Sequence, residues 1–163
     1  MRKLLVVVVT VALAATIALS ASASPSTVAT RGDEVFVPNA MVQSTLRFSP
    51  GTVNASAGQT LTWTHDDRTE APHTVTIVDQ ADLPTTIEEV FECPACFAAL
   101  DAHFAGGPNP VVDVGASGLD QPGDSLLFFH GESISAEVSA PAGTTLYYLC
   151  AIHPWMQGSI TVG

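Results

Sequence analysis

Short stretches in which apolar and polar residues alternate recur along most of the chain, and such alternation is typical of β-strands with one buried face. Turn residues such as Pro50-Gly51 and Ala57-Gly58 end or separate several of these stretches. The pattern predicts strands at residues 35–37, 44–48, 53–57, 60–64, 74–78, 125–129, 133–138, 145–149 and 159–162. Many short strands with Gly/Pro turns and little helix predict an all-β sandwich or barrel.

The alternation stops in the middle of the chain, at about residues 85–124. Glu88, Glu89 and Glu92 are mixed with apolar residues there, which predicts one or two short helices up to residue 105. The Gly- and Pro-rich residues 106–110 end these helices, and residues 111–124 are predicted to form a loop. We therefore expect a partly helical insertion in a β-domain.

The first residues have the features of a secretory signal peptide over residues 1–23. Arg2 and Lys3 precede an apolar run from Leu4 to Leu19, and small residues follow at the expected cleavage site. The apolar run of 16 residues is shorter than the ~20 that a spanning helix needs. We expect cleavage and no membrane span afterwards; the alternative is an uncleaved anchor. The chain would then have a flexible, Ser/Thr-rich linker at 24–34 and one domain at 35–163, secreted or periplasmic.

The charge of the chain bears on its partners. Five Lys and Arg face 16 Asp and Glu, and the loss of Arg2 and Lys3 on cleavage would leave three basic residues and a net charge of −13. Nucleic-acid binding is disfavoured, because contacts to phosphates need a cluster of Lys and Arg. An acidic protein can be steered to a partner with a basic docking face. The alternative is that the acidity only keeps a secreted protein soluble.

Near the C-terminus, Cys150, His153 and Met156 follow one another at Cys-x-x-His-x-x-Met spacing. Soft sulfur ligands together with imidazole favour copper, and two His with one Cys and a weak axial Met form an electron-transfer copper site. The second imidazole must come from elsewhere, and His73 is the candidate because it follows Pro72 at the start of a predicted strand. The alternative is a buried structural Cys beside an ordinary loop His.

Around these residues the chain resembles the small blue copper proteins, the plastocyanin, amicyanin and pseudoazurin group of cupredoxins. The resemblance covers residues 47–79, with the stretches 58–64 and 72–76, and residues 126–163. Two residues separate His153 from Met156, which is more similar to amicyanin than to plastocyanin, whose loop is longer. The insertion lies outside the resemblance.

The resemblance implies a Greek-key β-sandwich, with the insertion before the C-terminal ligand loop, that holds one copper ion. The equatorial ligands would be His73, Cys150 and His153, and Met156 would be the axial ligand. Such a protein is a monomer, is not an enzyme, and carries single electrons between redox protein partners outside the cytoplasm by cycling between Cu(I) and Cu(II).

The surroundings of the site are also implied. An apolar patch at Pro154 and Trp155, around the ring edge of His153, would be the docking surface for a redox partner. Thr74 and the backbone N–H groups near Cys150 are candidates for hydrogen bonds that tune the metal. His65, in the loop before His73, is expected to be a solvated loop residue; the alternative is a surface ligand.

Two other classes of copper site are excluded by the sequence. A dinuclear purple copper site needs a second Cys four residues before Cys150, where the chain has Leu146. Multicopper oxidases need several His-x-His pairs, and none occurs among the five His of this chain. A protein that traffics or buffers copper without shuttling electrons stays an alternative.

Cys93 and Cys96 form a Cys-x-x-Cys pair inside the insertion. Such a pair can be a disulfide, a redox dithiol or part of a zinc site. Haem attachment is excluded because Phe97 stands where that motif needs His. A zinc site would need two more ligands, and the only nearby candidates are His103 and one acidic residue. In an oxidising compartment we expect a disulfide, with thiol–disulfide redox activity as the alternative function.

Overall fold

The computed structural model describes residues 26–163, which form a two-sheet β-sandwich with a helical insertion. The predicted all-β sandwich is confirmed, while the predicted signal peptide at 1–23 lies outside the described residues. Within the described residues the strands are β1 (Thr27–Arg31), β2 (Glu34–Val37), β3 (Met41–Ser44), β4 (Arg47–Ser49), β5 (Thr52–Ala55), β6 (Thr60–Thr64), β7 (His73–Val78), β8 (Val111–Val112), β9 (Ser125–Phe128), β10 (Ser133–Glu137), β11 (Thr145–Leu149) and β12 (Gln157–Val162). The helices are α1 (Ile87–Phe91) and α2 (Pro94–Phe104), with one 3-10 turn at Gln80–Asp82.

The strands form two main sheets whose order is β10-β6-β1-β4 in one and β5-β12-β11-β7-β9-β8 in the other. Strands β1 and β6 are parallel, as are β5 and β12, and the other pairs are antiparallel. The chain changes sheet after β4, β5, β6, β9 and β10, which is the connectivity of a Greek-key sandwich. No helix of the described part is long and apolar enough to cross a membrane.

One hydrophobic core fills the space between the two sheets. Its largest fully buried side chains include Trp63 from one sheet and Tyr148 and Phe128 from the other. The ring of Tyr148 packs edge-on against both Trp63 and Phe48, with centroids 6.1 and 5.0 Å away. Alternating residues from both sheets thus bury the face that the sequence pattern assigned to the core.

Strand β7 is buried on both faces, as is its neighbour β9. Val75 and Ile77 point into the sandwich core. Thr74 and Thr76 lie on the opposite face and are also buried, because helix α2 packs there. The insertion therefore covers the face of β7 that would face water in a plain sandwich.

The insertion is built by local signals that match its sequence. A capping box starts α1, with Thr86 as N-cap and Glu89 reaching back to it. Pro94 opens α2 directly after its N-cap residue Cys93. The expected short helices are confirmed, whereas the predicted loop at 111–124 contains the short strand β8, which adds to the edge of β9.

The predicted flexible linker at 24–34 was wrong where the structure describes it. Residues Thr27–Arg31 form β1, an inner strand between β6 and β4, and Val28 and Thr30 are fully buried. A short strand of this kind is stabilised by its two neighbours and not by its own pattern, so the Ser/Thr-rich composition was misleading. The strand predicted at 44–48 is likewise divided, since β3 ends at Ser44 and β4 starts at Arg47.

Strands β2 and β3 form a separate hairpin outside both main sheets. Its turn contains Asn39 with a φ of 61°, a left-handed conformation that Asn tolerates. The hairpin is exposed and apolar, with Phe36 72% and Val42 75% exposed. It lies close to the C-terminal loop, because Ser44 accepts a hydrogen bond from the indole nitrogen of Trp155 at 3.2 Å.

Candidate metal centre

Three potential metal-binding atoms converge in the interior of one end of the sandwich. The Sγ atom of Cys150 lies 3.7 Å from Nδ1 of His73 and 3.6 Å from Nδ1 of His153. All three residues are buried, and these ligand atoms all lie within 4.8 Å of one another. The structure therefore brings to the thiol of Cys150 the imidazoles of His73 and His153, which are 77 and 3 residues from Cys150 in sequence.

The C-terminal members of this cluster are held by the tight connection between β11 and β12. The amide of His153 donates to the carbonyl of Cys150 at 3.1 Å, and the amide of Met156 donates to the carbonyl of His153 at 2.8 Å. The amide of Cys150 then donates to the carbonyl of Met156 at 2.9 Å, which closes the loop on itself. Met156 is fully buried and belongs to the main core beside Cys150. Two successive turns of one compact loop thus explain why Cys150, His153 and Met156 are three residues apart.

Thr74 ties β7 to this loop through two hydrogen bonds. Its amide donates to Sγ of Cys150 at 3.3 Å, and its hydroxyl accepts from the amide of Ala151 at 2.7 Å. Burial raises the pKa of the Cys150 thiol, and hydrogen bonds from Thr74 and the loop backbone oppose that rise. A bound cation is what such a buried sulfur needs to become a thiolate.

An acidic residue that sequence reasoning missed orients His73. Oδ2 of Asp67 lies 2.8 Å from Nε2 of His73, and both side chains are fully buried. With a carboxylate oxygen this close to Nε2, the neutral ring keeps its proton on Nε2 and its lone pair on Nδ1, which faces Cys150. Carboxylate–histidine pairs of this kind fix the ring tautomer at metal sites. The only signal in the sequence was an Asp in the loop that leads to a candidate ligand.

The charges of this pair follow from its burial. Burial lowers the pKa of His73 to about 4, although the charge of Asp67 opposes the change. Burial alone would raise the pKa of Asp67, but hydrogen bonds from Thr30 and Thr69 and the charge of His73 lower it to about 2. Thr69 donates to Oδ1 from its amide at 2.9 Å and from its hydroxyl at 2.7 Å. At neutral pH the site therefore has a neutral imidazole backed by an ionised carboxylate.

The prediction that His65 is a solvated loop residue was wrong. Its side chain is fully buried, and its ring centroid lies 4.8 Å from that of His73. Nε2 lies 2.9 Å from the carbonyl oxygen of Ala71, to which it donates. His65, Asp67 and His73 also have ligand atoms within 4.8 Å of one another. The ring of His65 packs against that of His73, and its Nδ1 lies 3.8 Å from Oδ2 of Asp67.

The surface over His153 differs from the expected docking patch. The ring of His153 is only 5% exposed, because Glu34 of the hairpin lies 3.9 Å from its Nε2 and Trp155 packs 5.4 Å away. Pro154 is buried, whereas Trp155 is 41% exposed. The exposed apolar surface lies beside the loop, in a groove of about 500 Å³ that is lined by Val42, Ser44, Ile87, Val90, Phe91 and Trp155.

Cys93 and Cys96 are joined by a disulfide at the start of α2. Both are buried in a second, small core that also contains Leu149 and Ala151 on either side of Cys150. Among the described residues, no group of clustered metal-binding side chains includes either cysteine. His103 is not a zinc ligand candidate, because both of its ring nitrogens have hydrogen-bond partners within the protein.

The converging donor set fits copper better than the other common metals. Both imidazoles present Nδ1 to the same sulfur, and the thioether residue Met156 is buried in the same core as Cys150. Two imidazoles and a thiolate with a methionine suit a copper ion that changes between its two oxidation states. Hard cations are disfavoured, because the ligand atoms that converge here are nitrogen and sulfur.

No protein-family model and no curated protein matches the chain. Among solved structures, the chain is similar to auracyanin A, a "blue" copper protein from Chloroflexus aurantiacus, with 22% identity and a TM-score of 0.49 over 85% of this chain and 99% of that chain. It is also similar to a purple cupredoxin from Nitrosopumilus maritimus, with 18% identity and a TM-score of 0.46 over 84% of this chain and 98% of that one.

A copper-containing nitrite reductase from Thermus scotoductus matches with 18% identity and a TM-score of 0.43, over 90% of this chain but only 25% of the reductase. All three matches are below 25% identity. At these TM-scores they assign no role to any residue, so the site has to be judged by its own geometry.

Proposed function

We propose that the protein is a cupredoxin-type electron carrier with one type 1 copper centre. His73, Cys150 and His153 would be the equatorial ligands and Met156 the axial ligand. The observation that carries the proposal is the convergence of two Nδ1 atoms on one buried, unbridged cysteine sulfur. When bound, the copper would cycle between Cu(I) and Cu(II) and so take up and release one electron.

The enclosure of the donors supports a carrier more than an enzyme or a trafficking protein. His73 and Cys150 are fully buried, and His153 is nearly so. A catalytic metal site needs an open position for substrate, and a site that hands over its metal needs access to another ligand. Here the β2–β3 hairpin and the ring of Trp155 cover the loop. Rigid, closed coordination instead suits electron transfer, in which only the electron has to leave.

A redox partner would dock at the apolar groove beside Trp155. Val42, Ile87 and Phe91 are exposed there, and Trp155 connects them to His153 through ring contact. The acidic charge of the chain would favour a partner with a basic rim around its own apolar contact. We infer a location outside the cytoplasm, which the disulfide between Cys93 and Cys96 supports. We expect the protein to be a monomer.

The first test is spectroscopic. The purified metal-free protein is titrated with Cu(II), and visible and electron paramagnetic resonance spectra are recorded beside those of Cys150→Ser. We expect an intense blue band with narrow copper hyperfine splitting at one copper per chain, and loss of both in the variant. The matched control is Cys93→Ser/Cys96→Ser, which removes the other two cysteine sulfurs and should keep the blue band.

Two results would contradict the proposal. A pale spectrum with ordinary Cu(II) splitting would leave copper trafficking as the better account, above all if a chelator then removes the metal rapidly. Loss of activity in an insulin-reduction assay only in the Cys93→Ser/Cys96→Ser variant, with no blue band in any variant, would favour thiol–disulfide exchange instead.

A further inference from the structure

A continuous line of buried hydrogen bonds connects the insertion to the ligand loop. The hydroxyls of Thr74 and Thr76 are 3.0 Å apart, and those of Thr76 and Ser125 are 2.8 Å apart. The Ser125 hydroxyl is 2.8 Å from Nε2 of His103 on α2. Nδ1 of His103 is 2.6 Å from the carbonyl oxygen of Asn109. All the side chains in this line are buried, and none of them belongs to the proposed ligand set.

The two ends of the line determine the position of every proton in it. A carbonyl oxygen only accepts, so Nδ1 of His103 carries the proton and donates to Asn109. Burial lowers the pKa of His103, so its ring is neutral near pH 7 and Nε2 is an acceptor. The Ser125 hydroxyl must therefore donate to Nε2 and accept from Thr76.

The same reasoning continues to the other end. Since Thr76 donates to Ser125, it accepts from Thr74. The hydroxyl of Thr74 thus donates away from the metal site, while its oxygen accepts from the amide of Ala151 at 2.7 Å. Of the two Thr74 groups, only the backbone amide then donates to the Cys150 sulfur. His103 is the proton acceptor at which this row of hydroxyl hydrogen bonds ends.

We propose that His103 is a positioning residue for the copper site: by accepting the proton of Ser125 it directs the Thr74 hydroxyl away from the Cys150 sulfur. This inference rests on the proposed copper function. Removal of the acceptor at His103 leaves one hydroxyl proton of the chain without a partner. The row of hydroxyl hydrogen bonds is then more stable with every donor and acceptor reversed. In that arrangement the Thr74 hydroxyl donates to the thiolate of Cys150, because a charged sulfur is a better acceptor than none.

The expected change in reduction potential follows from how strongly the sulfur donates electron density to the metal. A new hydrogen bond to the thiolate reduces its donation to the metal, and hydrogen bonds around the cysteine sulfur tune the reduction potential of such sites. His103→Leu and Thr76→Val should therefore each raise the reduction potential and shift the sulfur-to-copper absorption band to higher energy. The double variant should shift the potential no further than Thr76→Val alone, because both changes act through one chain.

Two variants serve as matched controls, and voltammetry of the copper-loaded proteins supplies the potentials. His103→Gln keeps an acceptor and a donor near the positions of the ring nitrogens, so it should restore the wild-type potential. Thr62→Val removes the same kind of bond, a 2.8 Å hydroxyl pair with Ser135, in the other sheet. It should leave the potential unchanged. Wild-type potential in His103→Leu, or shifts that add in the double variant, would overturn the proposal.

A second measurement needs neither copper nor a folded His103 variant. Nitrogen NMR of the metal-free wild-type protein reports the tautomer of His103, and we expect the proton on Nδ1. A proton on Nε2 would overturn the proposal. The Ala151 amide resonance should move in Thr76→Val and stay in place in Thr62→Val, and an unmoved resonance would refute the link to Thr74. If Cu(II) gives no blue band in the wild type, the proposed function fails, while these spectra still decide whether the ordered chain exists.

Discussion

Replacement of Asp67 by Asn tests whether the buried carboxylate orients His73 and tunes the metal. One carboxylate oxygen lies 2.8 Å from Nε2 of His73, and the other accepts hydrogen bonds from Thr69. An amide has one oxygen and one NH2 group, so in either orientation it puts a donor against a donor. The variant therefore loses the negative charge and one hydrogen bond, and it keeps the size of the side chain.

The magnitude can be worked from the geometry. Asp67 is ionised at pH 7, because its pKa is lowered to about 2. An imidazole ring and a metal–nitrogen bond of ~2.0 Å put the carboxylate roughly 7 Å from a metal on Nδ1 of His73. One unit of charge at ~7 Å contributes ~2.4 kcal/mol at an effective dielectric constant of ~20. That is ~100 mV for a one-electron couple, at ~59 mV and ~1.4 kcal/mol per tenfold change.

The sign follows from the charge of the oxidised site. Cu(II) carries one more positive charge than Cu(I), so loss of the carboxylate destabilises the oxidised state more and raises the potential. We also expect the affinity for Cu(II) to fall ~10–100-fold, as is typical when the outer partner of a ligating His is removed. Protein-film voltammetry gives the potential, and competition with a chelator gives the affinity.

Asp66→Asn is the matched control. This neighbouring carboxylate is half-exposed and pairs with Arg31 at 3.1 Å, so the same loss of charge occurs in a screened position. We expect its potential to stay close to the wild-type value. Equal potentials for Asp67→Asn and the wild type, or equal shifts for the two variants, would refute the assignment of Asp67 as the orienting residue.

Three further predictions concern stability. Burial lowers the pKa of His73 from 6.5 to about 4, so between these pH values the unfolded state binds more protons than the folded state. The free energy of unfolding of the metal-free protein should therefore fall by ~3 kcal/mol as the pH is lowered from 6.5 to 4. A urea midpoint that does not change with pH in this range would contradict this. Cys93→Ala/Cys96→Ala should lower stability by ~2 kcal/mol, from its very short loop, while keeping the blue band; loss of the band would show that the disulfide supports the metal site. Gly158→Ala puts a Cβ against the ring of Tyr148, so thermal unfolding should show a loss of ~1–3 kcal/mol, and an unchanged midpoint would refute the close packing.

Most core strands could be predicted from the sequence because their alternation reports a single buried face. The segment predicted at 145–149 matches β11 in full, and the one at 60–64 matches β6. Strand β1 could not be predicted in this way, since its Thr30 is as buried as Val28. Its position depends on pairing with β6 and β4, and those contacts join residues that are distant in sequence.

The same distinction between local pattern and distant contacts applies to the residues of the candidate site. Cys150, His153 and Met156 are recognisable because one short loop sets their spacing. Asp67 is not recognisable, because its role arises only when the loop before β7 folds back over His73. His65 was assigned to solvent for the same reason, since its burial depends on that loop and on Phe128 across the sheet.

The alternation of β7 was misleading in a way that bears on function. Thr74 and Thr76 alternate with Val75 and Ile77, and in a plain sandwich such threonines face water. Helix α2 covers them instead, and every buried hydroxyl then needs a partner inside the protein.

An insertion that only added apolar surface would have left those hydroxyls unsatisfied beside the ligand loop. α2 brings His103 over β7, and this ring supplies the missing acceptor through Ser125. The element that removes water from the back of the site therefore also has to order the hydroxyls that it buries. The insertion consequently contributes to the electrostatics around Cys150 without supplying a ligand.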